Sequence, residues 1–570
     1  MIICGLKLTH DAAVALFDNE KLVFSVEIEK INNNKRYSSL SDLNIIPDIL
    51  RSFGYKLADV DQWVIDGWDG VENGQVQLLN YQNPVTLKLA PYHEGNNKGS
   101  NVFTNTYDGK FFIGNQQFEY KSYLHVLGHL ISTYCTSPFA SKFKPSMVVI
   151  WDGGMFPRLY YVDPMNRIIE SYGPFLSIIG HFYATAGHHF GPFKRNNQSK
   201  TADDLSIAGK LMAYIGLGKI NKEIIKVFQG AYKYHFTVNS PAGNNYLSEI
   251  GGWGTSVEPS MKYIHTYFED VRQRLSGHNF SDEDILTSMH DFVEKLIVSN
   301  LDKHVTKWKG KGPWNLCLAG GCALNIKWNS AFRSHPRFKD VWVPPFPNDS
   351  GSAIGTAATY LFKEKGLVAV DWHARLGPKI EKGAYIPKGW ILEPCSTSKL
   401  AKILYDTGNP VILLNGRAEL GPRALGNRSI VASASTPQMK GLLNKVKLRE
   451  YYRPISPICL ASFAPQIFDP GIPDPYMLFD HYVKKEWLER IPAVVHLDKT
   501  ARLQTVSSSD NPILEAILRE YYKLSGIPVL CNTSANYNGS GFFPDVTSAM
   551  EWGKIDMIWS DGVLYKRVIS

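Results

Sequence analysis

Two histidines, His125 and His129 in KSYLHVLGHLISTY, stand four positions apart, so on a helix both imidazoles share one face and can reach a single metal ion. No glutamate follows His125, which removes the zinc-protease pattern. Asp152, at the end of the apolar strand MVVIW, and Asp349, in PPFPNDSGSAIG, can complete a two-histidine, acidic site of the kind that holds iron with coordination positions left for substrate. Taken singly, Asp152 is equally well a turn aspartate, and Asp349 a helix cap before 350–356.

Other residues suit phosphate. In LAGGCALN, Gly320 and Gly321 follow a strand and let the backbone approach a ligand, while the helix after Asn325 would favour an anion. Lys210, in AGKLM, adds a candidate contact or simply belongs to a helix start. A denser cationic group lies near the C-terminus: Arg423 and Arg428 in GPRALGNRS, Lys447 and Arg453 in KLREYYRP, Arg502 in ARLQTV, with Asn532 and Ser534 just after an apolar strand. Cations held among glycines and prolines suit several phosphates, with surface charge as the plainer alternative. His10, followed by Asp11, can act as a base toward a hydroxyl or be a hydrogen-bonded histidine at the first turn.

The elements needed to position these groups are legible. Residues 2–8, 12–17 and 22–28 read as three short strands, a meander leading into an α/β domain. Strands 147–151 and 314–319 end at Asp152-Gly153-Gly154 and Gly320-Gly321, where α/β folds place ligands. Apolar spacing predicts a helix over 283–308. Periodicity breaks at 364–395, which places a boundary between residues 1–375 and 376–570. The second part carries strands 410–414 and 527–530 and helices near 436–446 and 512–524.

The chain has 570 residues, too many for one core. No stretch approaches the roughly 18 apolar residues of a membrane span, and the N-terminus lacks the pattern of a signal peptide. Seven scattered cysteines without a C-x-x-C motif suit a reducing cytoplasm, or a host cytoplasm for a viral chain. The net charge of +8 points to solvated surface lysine or to an anionic partner.

The order HDAAVAL, EIEKINNNK, H-x-x-x-H, WDGG, AGKLM, LAGGCALN, PNDSGSAIG, GPRALGNRS, KLREYYRP, RLQTV and CNTSAN resembles the carbamoyltransferase family, which includes nodulation-factor and antibiotic O-carbamoyltransferases. The resemblance covers nearly the whole chain. It implies an α/β fold in which a TsaD-like domain of the actin-type ATPase (ASKHA) class is followed by a YrdC-like α/β domain. It implies an enzyme that makes carbamoyl adenylate from carbamoyl phosphate and ATP with Mg²⁺, then passes the carbamoyl group to a hydroxyl at a site holding Fe(II) or another divalent metal. By the same resemblance His125, His129, Asp152 and Asp349 match the metal ligands; Lys447, Arg453 and Arg502, with Arg423 or Arg428, match the cations; and His10 and Lys35 match residues of the transfer site. The chain departs from the family pattern at Glu27-Ile28-Glu29-Lys30, Asn33 and Ala535.

The acceptor is left between a sugar or natural-product hydroxyl and the hydroxymethyl of 5-hydroxymethylcytosine in DNA, as in some viral relatives. The positive balance and the segment Lys30–Arg36 incline it slightly to DNA. A homodimer is left open. A different class, a non-catalytic or tRNA-modifying assembly component, uses the same two folds, and a sugar-kinase-like ATPase would leave the cationic second part unexplained.

Overall fold

A computed structural model describes residues 1–68, 74–95, 102–103, 106–194, 204–250 and 257–568. The chain forms two compact units. The first comprises Met1–Thr9, Val14–Leu22 and Leu40–Asp371; the second comprises His10–Ala13, Val23–Ser39 and Trp372–Ser570. The sequence suggested a linear division at 375. The structure instead groups two N-terminal segments with the C-terminal unit, a long-range association that no local change of composition marks.

The three expected opening strands are Ile2–Lys7, Ala13–Asp18 and Lys21–Glu27, side by side in a six-stranded sheet. Ile2–Lys7 then pairs in parallel with Gln62–Asp66, and that strand with Gln116–Tyr123. Ile2–Lys7 and, after its opening Gln62, Gln62–Asp66 are covered on both faces and read as apolar runs. Lys7 and Asp66, each ending one of them, are the exceptions, and both are buried.

The helix His125–Cys135 follows the strand Gln116–Tyr123 and is buried along its whole length. It packs on Ser352–Tyr360, whose sequence SAIGTAATY is almost all small residues. The two backbones meet at Gly128 and Gly355. A Cβ on Gly355 would lie 1.7 Å from the Gly128 carbonyl oxygen, and one on Gly128 would lie 2.7 Å from Asp66 Oδ1. Only glycine fits at this crossing, which sets the two histidines against Asp349 at the head of the second helix.

A second sheet of the first unit runs Ile168–Pro174, Arg158–Asp163, Ser146–Ile150, Trp314–Ala319, Phe338–Trp342. Ser146–Ile150 and Trp314–Ala319 are parallel neighbours, so both end on the same edge, one leading to Asp152 and the other to Gly320-Gly321. Helices between these strands include Asp282–Lys309, the expected long helix, capped by the Ser281 hydroxyl accepting the Asp284 N–H.

The second unit is built on an eight-stranded sheet. In its strand Val411–Leu414, Val411 and Leu413 join a cluster with Leu400, Leu404, Leu514 and Leu518 from the helices Thr397–Thr407 and Pro512–Ser525, while Ile412 and Leu414 join the opposite cluster. Alternation at period two thus makes the sheet apolar on both faces.

Gly355→Ala is expected to lower the unfolding free energy by about 1–3 kcal/mol or more, because two helix backbones must separate. Equilibrium urea unfolding of the full chain measures it; unchanged stability would mean that the crossing relaxes freely.

Candidate active site

In the first unit His125, His129, Asp152 and Asp349 converge. Each offers one ligand atom, and these atoms all lie within 4.8 Å of one another, with all four residues buried. The histidines come from the helix face the spacing foretold. Asp152 comes from the end of the strand Ser146–Ile150, and Asp349 from the turn before Ser352–Tyr360. Asp349 caps no helix with its side chain, so the capping alternative does not hold.

Asp152 is held from two sides. Tyr92 donates its hydroxyl to Oδ2 at 2.5 Å and the Gly321 backbone N–H donates to Oδ1 at 2.7 Å. Burial and Asp349 push the Asp152 carboxyl up, but His129, His125 and Tyr92 outweigh them and leave it below the usual carboxylate range. The His125 Nδ1–H donates to Asp66 Oδ2 at 2.6 Å, which turns Nε2 toward Asp349 Oδ1 at 3.4 Å; His129 Nε2 lies 3.2 Å from the same oxygen. Burial and Lys7 would lower the His125 imidazole, yet Asp66 and Asp349 raise it to about 9. His125 Nε2 and both ring nitrogens of His129 are buried without a hydrogen-bond partner. Buried polar atoms are rarely left so, and imidazole nitrogens beside carboxylates, deprotonated where they ligate, form a donor set that suits a divalent transition metal.

Lys7, Asp66 and Tyr92 were not among the residues singled out in the sequence. Their signal was present: a lysine closing the apolar strand IICGLK and an aspartate closing QWVID are charges where burial is expected.

The glycine turn supports Asp152. Gly320 has φ +84°, a Cβ there would lie 2.4 Å from the Trp151 carbonyl oxygen, and its neighbour Gly321 holds Asp152. Asn325 caps the helix Ile326–Arg333 by accepting the N–H groups of Lys327 and Trp328. Lys210 sits half-buried on the helix Asp204–Tyr214. Trp68 lies beside the cluster, its ring centroid 5.4 Å from that of His125.

In the second unit the cations gather. Arg36, Arg423, Arg449, Arg453 and Arg502 are half-buried and within reach of one another's charge. Burial first, then Arg423, Arg449 and Arg453, press the Arg502 guanidinium well below its ordinary range; burial, Arg453 and Arg36 do the same to Arg449. Arg423 Nε is buried without a hydrogen-bond partner. Arg449 donates to Thr533 Oγ1 at 2.9 Å and to Ser534 Oγ at 3.5 Å, and Arg502 donates to Ser456 Oγ at 3.0 Å. Asn532, facing Ser456 in the neighbouring strand, donates to the Ala424 carbonyl and to Gln504 Oε1, both at 2.9 Å.

The loop carrying Arg423 is clamped. Glu419 Oε1 accepts the N–H groups of Leu425, Asn427 and Arg428, while buried Lys30 donates to the carbonyls of Glu419 and Gly421 and pairs with Glu27 at 2.6 Å.

Three of the expected residues take other places. Arg428 is 1% exposed and donates to the carbonyls of Asn415, Gly416, Asn427 and Pro378, so it is a strut of the sheet. Lys447 donates to the Ser534 and Asn536 carbonyls and to Asn536 Oδ1, and burial pushes its ammonium well down. Lys35 is exposed, with a backbone bridge to Ser540; its neighbour Arg36 is the one that joins the cations. Arg36 and Arg449 were missed because adjacent basic residues cannot be ranked until the chain direction is known. His10 is half-exposed with Nδ1 3.2 Å from Asp11 Oδ2.

The first unit thus gathers two histidines and two carboxylates in one buried cluster, and the second gathers five guanidiniums within reach of one another's charge. Residues 2–358 match the family described as Carbamoyltransferase N-terminus and residues 401–567 the one described as Carbamoyltransferase C-terminus. The chain belongs to the carbamoyltransferase family and is an enzyme that transfers carbamoyl groups.

It is 48% identical to Nodulation protein U of Rhizobium tropici over 569 residues, covering 100% of this chain and 96% of that protein. It is 29% identical to a 3'-hydroxymethylcephem-O-carbamoyltransferase of Streptomyces clavuligerus over 584 residues, covering 100% of this chain and 99% of that protein. Among solved structures, the activator of the 2-hydroxyisocaproyl-CoA dehydratase from Clostridium difficile aligns at 13% identity over 64% of this chain and 96% of its own, with a TM-score of 0.32, a likeness that carries no argument. No described helix is long and apolar enough to cross a membrane.

The arginine cluster should take up a polyanion. Pyrophosphate at ~100 times its dissociation constant is expected to stabilise the protein by about 2.7 kcal/mol. Arg449→Met and Arg502→Met should each abolish most of that gain in a thermal-shift titration. Undiminished stabilisation in both variants would place the anion elsewhere.

Proposed function

We propose that the protein is an ATP-dependent O-carbamoyltransferase that works in two half-reactions, one in each unit. The observation that carries this reading is the cluster of Arg36, Arg423, Arg449, Arg453 and Arg502. Like charges crowded together need an anion, and ATP with carbamoyl phosphate brings several. In this reading water first cleaves carbamoyl phosphate to carbamate and inorganic phosphate. A carbamate oxygen then attacks the α-phosphorus of ATP, the bond to the β-phosphate breaks, and carbamoyl adenylate and pyrophosphate result. Mg²⁺ accompanies ATP. The guanidiniums, already fixed in place, stabilise the charge on the transferring phosphate without rearranging.

In the first unit His125, His129, Asp152 and Asp349 would hold Fe(II) or another divalent ion, which when bound supplies Lewis acidity toward the carbamoyl oxygen or the phosphate. The partnerless ring nitrogens of His125 and His129 support the fit. Asp66 sets the His125 tautomer, and Tyr92 and Gly321 orient Asp152. The acceptor hydroxyl oxygen bonds to the carbamoyl carbon, AMP departs, and the proton passes to a base.

The acceptor we favour is the hydroxyl of a small molecule. The net charge of +8 was the reason to consider DNA. Five arginines lie half-buried in one cluster of the second unit, so much of that surplus has a local use and need not form a DNA-binding surface. The cephem relative acts, by its name, on a small hydroxymethyl compound.

Arg449→Met is expected to lower carbamoyl-phosphate-dependent exchange of pyrophosphate into ATP by about 1.5–3 kcal/mol in kcat/KM. His125→Ala and Asp349→Ala should remove bound metal and carbamoyl transfer while sparing that exchange. Exchange that ignores Arg449, or that vanishes with His125, would overturn the division into two sites. Mass analysis after incubation with small hydroxylated metabolites or hydroxymethylcytosine DNA should find the added carbamoyl group only on the former. Carbamoylated nucleoside would restore DNA as acceptor.

A further inference from the structure

The charges around the metal cluster do not end with its ligands. Lys7 is 1% exposed; its ammonium lies 2.8 Å from Asp349 Oδ2 and 3.2 Å from Asp66 Oδ2. It also stands 4.0 Å from the centroid of the Trp68 ring, an apolar flank that keeps water from the ion pair. The two oxygens of Asp349 are thereby divided. Oδ1 faces His125 Nε2 and His129 Nε2, and Oδ2 faces Lys7. Asp66 completes the ring, joining Lys7 to His125 Nδ1.

We propose that Lys7 is a positioning residue of the metal centre: it keeps Asp349 a one-oxygen ligand and, as a fixed counter-charge, sets the pocket's preference for a divalent over a trivalent ion. This rests on reading the four-residue cluster as a metal site. The charge count explains the preference. The carboxylates of Asp66, Asp152 and Asp349 with the Lys7 ammonium sum to −2 when both imidazoles bind as neutral ligands. A divalent ion neutralises that sum. A trivalent ion leaves a buried positive charge, which a low-dielectric interior opposes. Without Lys7 the sum is −3 and the balance moves to the trivalent ion; without the Asp66 charge it is −1 and the balance moves the other way. Groups that orient ligands from behind commonly change metal affinity by about 10–100-fold when removed.

The test uses full-length wild type, Lys7→Met, Lys7→Arg and Asp66→Asn, each dialysed against chelator-buffered Mn²⁺ or Ga³⁺ and assayed for bound metal, with circular dichroism to check folding. The ratio of Ga³⁺ to Mn²⁺ affinity should rise at least tenfold in Lys7→Met, fall in Asp66→Asn, and stay near wild type in Lys7→Arg. If Lys7→Met does not fold, the opposite shift in Asp66→Asn carries the test. A wild-type chain that binds neither ion would overturn the metal reading and this proposal together. Stoichiometric binding with an unshifted ratio in the folded variants would overturn this proposal alone.

Discussion

Carboxylates taken out of water repel one another, and no protein interior tolerates several of them together without a compensating cation. Asp66, Asp152 and Asp349 are each under a tenth exposed and belong to one connected group. Most of the first unit's architecture around the site answers to that constraint. Lys7 supplies one positive charge, Tyr92 and the Gly321 N–H supply hydrogen bonds, and the imidazoles of His125 and His129 supply nitrogens that are otherwise partnerless. The arrangement makes chemical sense as a receptor for a divalent ion, because such an ion is the largest local charge in any site that holds it.

Meeting the constraint requires backbones to come unusually close. The Gly128–Gly355 crossing brings the helix with both histidines against the helix headed by Asp349. Gly320, in a left-handed conformation, lets two parallel strands end so near each other that the turn after one can hold the aspartate after the other. In both places a side chain one carbon long would meet neighbouring backbone and shift a member of the cluster, so the small residues serve the site as directly as the charged ones do.

The second unit poses the problem with the sign reversed. Its arginines raise one another's cost of ionisation; Glu450, 3.6 Å from Arg453, offsets part of that, and the neutral partners Thr533, Ser534 and Ser456 orient guanidiniums without discharging them. Where carbonyls were available the cations were absorbed instead. Arg428 and Lys447 are surrounded by backbone oxygens and act as struts. The difference between a strut and a ligand-binding cation is thus the acceptor supply around it, not the residue type.

The sequence by itself determined the α/β class, the three opening strands, the long helix Asp282–Lys309 and the shared helical face of His125 and His129, because all of these follow from periodicities of two and 3.6 residues. Its ordered motifs also led to the carbamoyltransferase family. The tertiary structure alone decided which of Lys35 and Arg36 joins the cations, that Arg428 braces the sheet, that Gly320 and Gly321 serve Asp152, and that Lys7 and Asp66 join His125 and Asp349 in one charged group. Those outcomes depend on contacts between residues tens to hundreds of positions apart. Local periodicity says which way a side chain points, and only the packed chain says what it meets there.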